Sequence, residues 1–184
     1  MSLLDIVGVE DGGFVAFRPN QITLLCAVEM FGGIVKAVKL GQVTVDGMDA
    51  TETIINMLVN IRCDALILGG VSFAGFNVVD VARIQKNLGV PVIAYSGEKP
   101  DSTSVLFALK AHFKDWEDRW TPIERLGEVY STVTKLGLPP VFYEVVGESS
   151  EWAEKVLKES ATLTRIPEPV RVAGLIARGL TRSV

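Results

Sequence analysis

Four carboxylates fall where strands are expected to end. Glu10 and Asp11 directly follow the apolar run Leu4 to Val9, while Asp46 and Asp49 lie between a β-branched segment and a helical pattern. Clustered carboxylates repel one another unless a cation stands between them, so such a group implies a bound divalent ion or raised pKa values. Two metals ~3.5–4 Å apart would bring in-line attack on a phosphodiester within reach; one metal would activate water and neutralise less charge. A structural reading stays open for three of the four. Asp11 precedes Gly12-Gly13 and Asp46 precedes Gly47, as turns favour, because aspartate bonds its own neighbouring backbone. Asp49 suits a helix N-cap. Glu10 differs, since a carboxylate directly after a buried strand is costly unless solvated or paired.

The scarce residue types remove other chemistries. His112 is the single histidine, and no serine sits in a GxSxG elbow. Cys26 and Cys63 are far apart in apolar settings, which excludes a disulfide scaffold and a CxxC site. Any metal would therefore take oxygen ligands, as Mg²⁺, Mn²⁺ and Ca²⁺ do. Gly70 to Gly75 has the GxxxxG spacing of a phosphate loop, but Phe76-Asn77 stand where Lys and Ser/Thr are needed, so an NTP-hydrolysing loop is rejected. A simpler anion contact at a following helix N-terminus remains open beside a purely structural reading.

The net charge of −4 gives no overall attraction to nucleic acid, so a local basic patch would have to supply it. One candidate is C-terminal, where Arg165, Arg171, Arg178 and Arg182 face a single glutamate. On a helix Arg171, Arg178 and Arg182 share a face, because 7 and 11 residues are near-integral turns. Val172, Ile176 and Leu180 take another. Presented arginines suit phosphate, although a solvated helix face has the same pattern.

The surrounding elements must position these groups. With 184 residues, 48% of them hydrophobic, the chain is expected to form one domain, 1–184, and disorder is excluded. Ile22 to Val38 carries Glu29, Lys36 and a Gly32-Gly33 break, short of the ~20 apolar residues of a membrane span. No secretion signal is visible, so a soluble cytoplasmic protein is expected, and the high apolar fraction suits a homodimer.

Leu4 to Val9 reads as a strand running into a turn at Glu10. Gln21 to Glu29 and Ile34 to Val45 read as a hairpin around Gly32-Gly33. A helix from Asp49, with Glu52 completing a capping box, carries Ile54, Leu58 and Ile61. Strand Ala65 to Leu68, a helix opened by Asn77 and strand Val90 to Tyr95 follow. The order β-β-β-α-β-α-β makes a mixed α/β sheet with helices on both faces. It is the order of ribonuclease-H-like folds, and other three-layer α/β folds share it.

From residue 104 to 184 a mostly helical C-terminal part is expected: Ser104 to Phe113, a helix from Thr121-Pro122-Ile123-Glu124 through Tyr130 and Val133 to Gly137, strand Val141 to Val146, and helices Ser149 to Ser160 and Pro169 to Leu180.

Three segments go beyond generic punctuation: Val7-Gly8-Val9-Glu10-Asp11-Gly12, Asp46-Gly47-Met48-Asp49-Ala50-Thr51-Glu52, and Phe73-Ala74-Gly75-Phe76-Asn77-Val78-Val79-Asp80. Together they resemble the archaeal endonuclease dU family, related to endonuclease V, from the first strand to about Trp120. The resemblance implies a ribonuclease-H-like fold and metal-dependent cleavage of nucleic acid near a deaminated base. Carried over by position, Glu10 and Asp11 are the acidic pair, Asp49 the carboxylate at the first helix, and Asp46 the aspartate before glycine.

Three positions depart from that pattern. Gly69 stands where an aspartate is expected, Gly97 where a basic residue is usual, and Glu10 where aspartate is typical. Fewer carboxylates should weaken Mg²⁺ binding, and a missing cation should weaken stabilisation of the developing charge. The expectation is a Mg²⁺- or Mn²⁺-dependent endonuclease of DNA or RNA, weakened by Gly69, with Glu10 and Asp49 on metal. Asp11 and Asp46 would ligate or orient water, and Arg171 and Arg178 would hold phosphates. The rival is a non-catalytic nucleic-acid or nucleotide-binding protein of the same fold.

Overall fold

In the computed structural model, which describes residues 4–15 and 21–181, Gly32 and Gly33 take φ of 56° and 83°. That left-handed pair makes the hairpin turn joining β2 (Ile22–Phe31) to β3 (Ile34–Thr44). β1 (Asp5–Asp11) pairs antiparallel with β2 on one side and parallel with β4 (Ala65–Leu68) on the other. A two-stranded hairpin follows, β5 (Ser72–Phe73) and β6 (Asn77–Val78). β7 (Val92–Ser96) then pairs parallel with β4, and β8 (Tyr130–Thr132) and β9 (Val141–Val146) extend the sheet antiparallel. The main sheet has seven strands in the order β3-β2-β1-β4-β7-β9-β8. The segment 104–184 thus contributes strands as well as helices.

The helices are α1 (Ala50–Leu58), α2 (Val81–Leu88), α3 (Ser102–His112), α4 (Trp116–Glu124), α5 (Ser150–Ser160) and α6 (Glu168–Thr181). Side chains alternate across the sheet. Val7 and Val9 join the core with Ile54 of α1 and Ile84 of α2, while Ile6 joins the opposite core with Leu157 of α5 and Val170 of α6. Cys26, Val28 and Met30 of β2 pack against Ala173 and Ala177 of α6. Among the described residues no helix is long and apolar enough to cross a membrane.

Several local expectations are corrected. β1 does not stop at Val9: Glu10 and Asp11 pair with Cys26 and Leu25, so both acids are strand residues whose backbone groups the ladder uses. Asn77 does not open a helix. α2 starts at Val81, capped by the Asp80 carboxylate, which accepts from Arg83 N at 2.9 Å, so the Gly70 to Gly75 loop offers no helix N-terminus to an anion. The capping box at Asp49 is not formed, because the Asp49 carboxylate makes no cap bond and Glu52 pairs with Arg83.

The helix expected from Thr121 to Gly137 is instead the last turn of α4 followed by β8. Thr121 Oγ1 donates back to Glu117 O at 2.8 Å rather than capping, and Pro122 sits inside that last turn. Tyr130 and Thr132 find ladder partners in Tyr143 and Val141. The run Ser131-Thr-Val-Thr134 suits a pleated strand more than a helix, since β-branched residues lose rotamer freedom in helices.

Candidate active site at the ends of the parallel strands

The parallel strands β1, β4 and β7 end side by side, bringing Glu10, Gly69 and the Ser96-Gly97 pair to one edge of the sheet. In open α/β sheets the crevice beyond such ends is where ligands bind. Alternation roots consecutive acids on opposite sides of β1, yet at the strand end their carboxyl groups remain within hydrogen-bonding reach of each other. Gly8, Glu10 and Gly12 face α6; Asp11 faces the turn of the β5–β6 hairpin.

α6 lies hard on β1. A β-carbon at Gly8 would overlap the backbone of Pro169 and Val170, and one at Gly12 would stand 2.6 Å from Thr181 Oγ1. Arg178, one turn after Gly174 on α6, brings its charge to both acids and lowers both pKa values. Other influences win. Burial first, then the charge of Asp11, push the Glu10 carboxyl up to about 8; burial also raises Asp11. Two hydrogen bonds tie the acids in place. Asp11 N donates to Glu10 Oε1 at 3.1 Å, and Ala74 N donates to Asp11 Oδ2 at 2.5 Å.

The Phe73 to Asp80 segment explains its own composition. Ala74 and Gly75 take φ of 47° and 87°, turning the chain so that Ala74 N reaches Asp11 while Ala74 O accepts from Asp46 N at 2.8 Å. Asp46 Oδ1 accepts from Phe76 N at 2.9 Å, and a β-carbon at Gly75 would overlap that oxygen. Asp11 and Asp46 thus grip one turn from two sides.

Asn77, fully buried, donates to Thr44 O and to Asp49 Oδ1 and accepts from Ala50 N. Asp49 also accepts from Thr44 N and from Thr44 Oγ1 at 2.9 Å. Its carboxylate is committed to the β3–α1 turn and shares no hydrogen-bond partner with Glu10 or Asp11.

The structure therefore brings together Glu10, Asp11 and Arg178, links Asp46 to them through Ala74, and turns Asp49 into a structural tie. Arg171 stays at the start of α6 in a two-pronged pair with Glu168, at 2.6 and 2.9 Å. Arg182 lies outside the described residues. Two arginines carry roles that the sequence did not suggest. Arg165 donates to Gly97 O at 2.7 Å, and its guanidinium and the buried Tyr95 Oη both border the place of the absent Gly97 side chain. A cation thus stands beside Gly97 although that position carries none. Arg119, buried in α4, donates to Gly47 O and Phe76 O and locks the Asp46 and Gly75 turns together. Among the described residues, no three His, Cys, Asp or Glu side chains converge as a metal-binding group.

The raised Glu10 pKa makes stability depend on pH. The unfolded chain releases this proton near 4.5, the folded protein near 8, so folding takes up a proton between those values and stability falls as pH rises through that window. Without divalent cations, Glu10→Gln is expected to match wild type at pH 4 and to be clearly the more stable of the two at pH 9. Urea unfolding at both pH values checks this; an equal difference at both would refute it.

The comparisons with known proteins agree with this architecture. Residues 2–181 match the family Endonuclease dU. The UPF0215 protein of Pyrococcus furiosus is 32% identical over 183 residues, covering 96% of this chain and 92% of the relative. A protein of unknown function from Archaeoglobus fulgidus superposes with a TM-score of 0.85 at 25% identity, over 97% of this chain and 99% of that one. Ciona intestinalis endonuclease V, in complex with a 24mer DNA containing an inosine followed by a ribo-adenosine, has a TM-score of 0.63 at 14% identity, over 97% and 86%. That last likeness speaks for the fold. With strand order and family match in agreement, the chain belongs to the Endonuclease dU family and has the ribonuclease-H-like fold of endonuclease V.

Proposed function

We propose that this protein is a Mg²⁺- or Mn²⁺-dependent endonuclease that cleaves phosphodiester bonds near deaminated bases in DNA or RNA. The observation that carries the reading is the half-buried Glu10–Asp11 pair at the end of β1, in a chain of this family and fold. Two adjacent carboxyl groups that burial holds above their ordinary pKa, with Glu10 raised further by the charge of Asp11, are a hard, all-oxygen donor set in want of a cation. One or two carboxylates, completed by substrate phosphates, are what Mg²⁺ commonly takes from a protein, so the residues fit. When bound, the cation would polarise a phosphoryl oxygen and lower the pKa of water.

The chain's own groups do the rest. Glu10 and Asp11 would hold the cation, and the Ala74 N–H fixes the orientation of Asp11. Arg178, already beside both acids, would bind a phosphate oxygen of the substrate. Asp46 and Asp49 keep the facing turns in place.

The test is incubation of end-labelled single- and double-stranded oligonucleotides, with and without one uracil or hypoxanthine, in Mg²⁺, Mn²⁺ or EDTA. Cuts near the modified base with either metal and none in EDTA are expected. The small donor set favours a second reading, a nucleic-acid-binding protein without catalysis. Retention of the same oligonucleotides at low salt without cuts would establish that one instead.

A further inference from the structure

The Glu10 side chain runs between two glycines that belong to other elements. A β-carbon at Gly69, the residue after β4, would overlap Oε2 of Glu10 and stand 2.7 Å from its Cδ. A β-carbon at Gly174, in the middle of α6, would stand 2.9 Å from Cγ of Glu10 and 2.6 Å from Nη2 of Arg178. Neither glycine has a positive φ, so the backbone does not call for glycine at either place. Space does. Real β-carbons do not come this close to other heavy atoms, so any side chain at Gly69 displaces the Glu10 carboxyl.

We propose that Gly69 and Gly174 form a slot matched to glutamate at position 10, and that the acidic group over the end of β4 is delivered from β1. The side-chain space of position 69 is filled by Glu10, which reaches it by the one methylene that aspartate lacks. Glu10 and a side-chain-bearing residue at 69 are therefore mutually exclusive. The glycine is a condition of the carboxylate's placement and not a gap in the centre. Gly8 and Gly12, which seat α6 on β1 to either side of Glu10, keep the slot narrow. Gly69 and Gly174 act as positioning residues for Glu10.

The packing claim stands alone, whereas the cation claim rests on the function proposed above, and two readouts separate them. The first is a double-mutant cycle in thermal stability, with Gly69→Ala placed in wild type and in Glu10→Asp. Gly69→Ala is expected to lower Tm by about 8 °C in wild type and by less than half of that in Glu10→Asp. Equal losses in the two backgrounds would overturn the slot. Gly174→Ala, cycled instead against Glu10→Ala, which removes the Cγ that its β-carbon would meet, decides the matter if Gly69→Ala does not fold in either.

The second readout is Mn²⁺ binding followed by electron paramagnetic resonance, with the metal alone as probe. Affinity is expected to fall about tenfold in Glu10→Asp and to return in Glu10→Asp/Gly69→Asp, where the carboxylate comes back from β4. A folded double variant that binds no better than Glu10→Asp would overturn the delivery of the carboxylate from β1. If wild type itself binds no Mn²⁺, the metal reading fails, while the stability cycle still judges the slot.

Discussion

Glu10→Gln is expected to lower metal-dependent cleavage by at least about 10³-fold while the protein stays folded. Glutamine keeps the length that fills the slot beside Gly69 and can donate to Asp11, but it carries no charge for a cation. Asp11→Asn should have a comparable effect, because the amide oxygen still accepts from Ala74 N and only the charge is lost. Asp49→Asn is the informative contrast. Its carboxylate receives Thr44 N, Thr44 Oγ1 and Asn77 Nδ2, so the change should cost about 2 kcal/mol of stability and leave cleavage per folded molecule near wild type. Initial rates on a uracil- or hypoxanthine-containing oligonucleotide, normalised to the folded fraction from urea titration, measure all three. Full activity in Glu10→Gln, or a folded and inactive Asp49→Asn, would remove Glu10 and Asp11 as the cation-holding pair.

Arg119→Met is expected to destabilise the protein by about 4 kcal/mol, a loss of roughly 10 °C in Tm, without touching any acidic side chain of the crevice. The guanidinium is buried and reaches across the fold. Nη1 donates to Gly47 O at 2.9 Å and Phe76 O at 2.7 Å, while Nε and Nη2 hold the two Asp115 oxygens at 3.1 and 2.9 Å. The charge also lies 4.2 Å from the Phe113 ring centroid, and Phe113 in turn meets Phe76 edge-on at 5.4 Å. Removing it leaves two carbonyls and a carboxylate without their donor and frees the β3–α1 turn from the β5–β6 turn. Arg119→Lys should recover little, because one ammonium cannot span both carbonyls and Asp115 in the same geometry. A loss under about 1 kcal/mol in Arg119→Met would mean that the two turns are held by Asp46 and Asn77 alone.

These two residues mark the limit of sequence reading. Glu10 stood out because burial of a carboxylate is costly in any context. Arg119 gave no signal, since nothing local shows that an arginine on a mostly polar helix will be buried against carbonyls 72 and 43 residues away. Asn77 lies inside a conspicuous segment, yet its type points equally to a helix start, because asparagine also caps helices. Thr121-Pro122-Ile123-Glu124 has every local mark of a helix beginning and is a helix end. Capping patterns describe which bonds a residue can make, and the tertiary fold chooses among them.

The sequence by itself determined the hairpin at Gly32-Gly33, the main-sheet strands and their intervening helices through β7 except for the β5–β6 hairpin, strand Val141–Val146, and helices α5 and α6. These rest on short-range causes: a left-handed turn that glycine accepts, apolar periodicity, and free N–H groups at helix starts. It also put the acids near the edge of the sheet. Which of them meet was decided only by the tertiary structure. Parallel pairing of β1 with β4 sets Glu10 beside Gly69, strand alternation sends Asp11 to Ala74, and α6 returns from 160 residues downstream to bring Gly174 and Arg178 over the first strand. Contacts of this kind depend on side-chain length and on the register between distant segments. Local sequence constrains neither, because the energy that selects them is gained only when the whole sheet is packed.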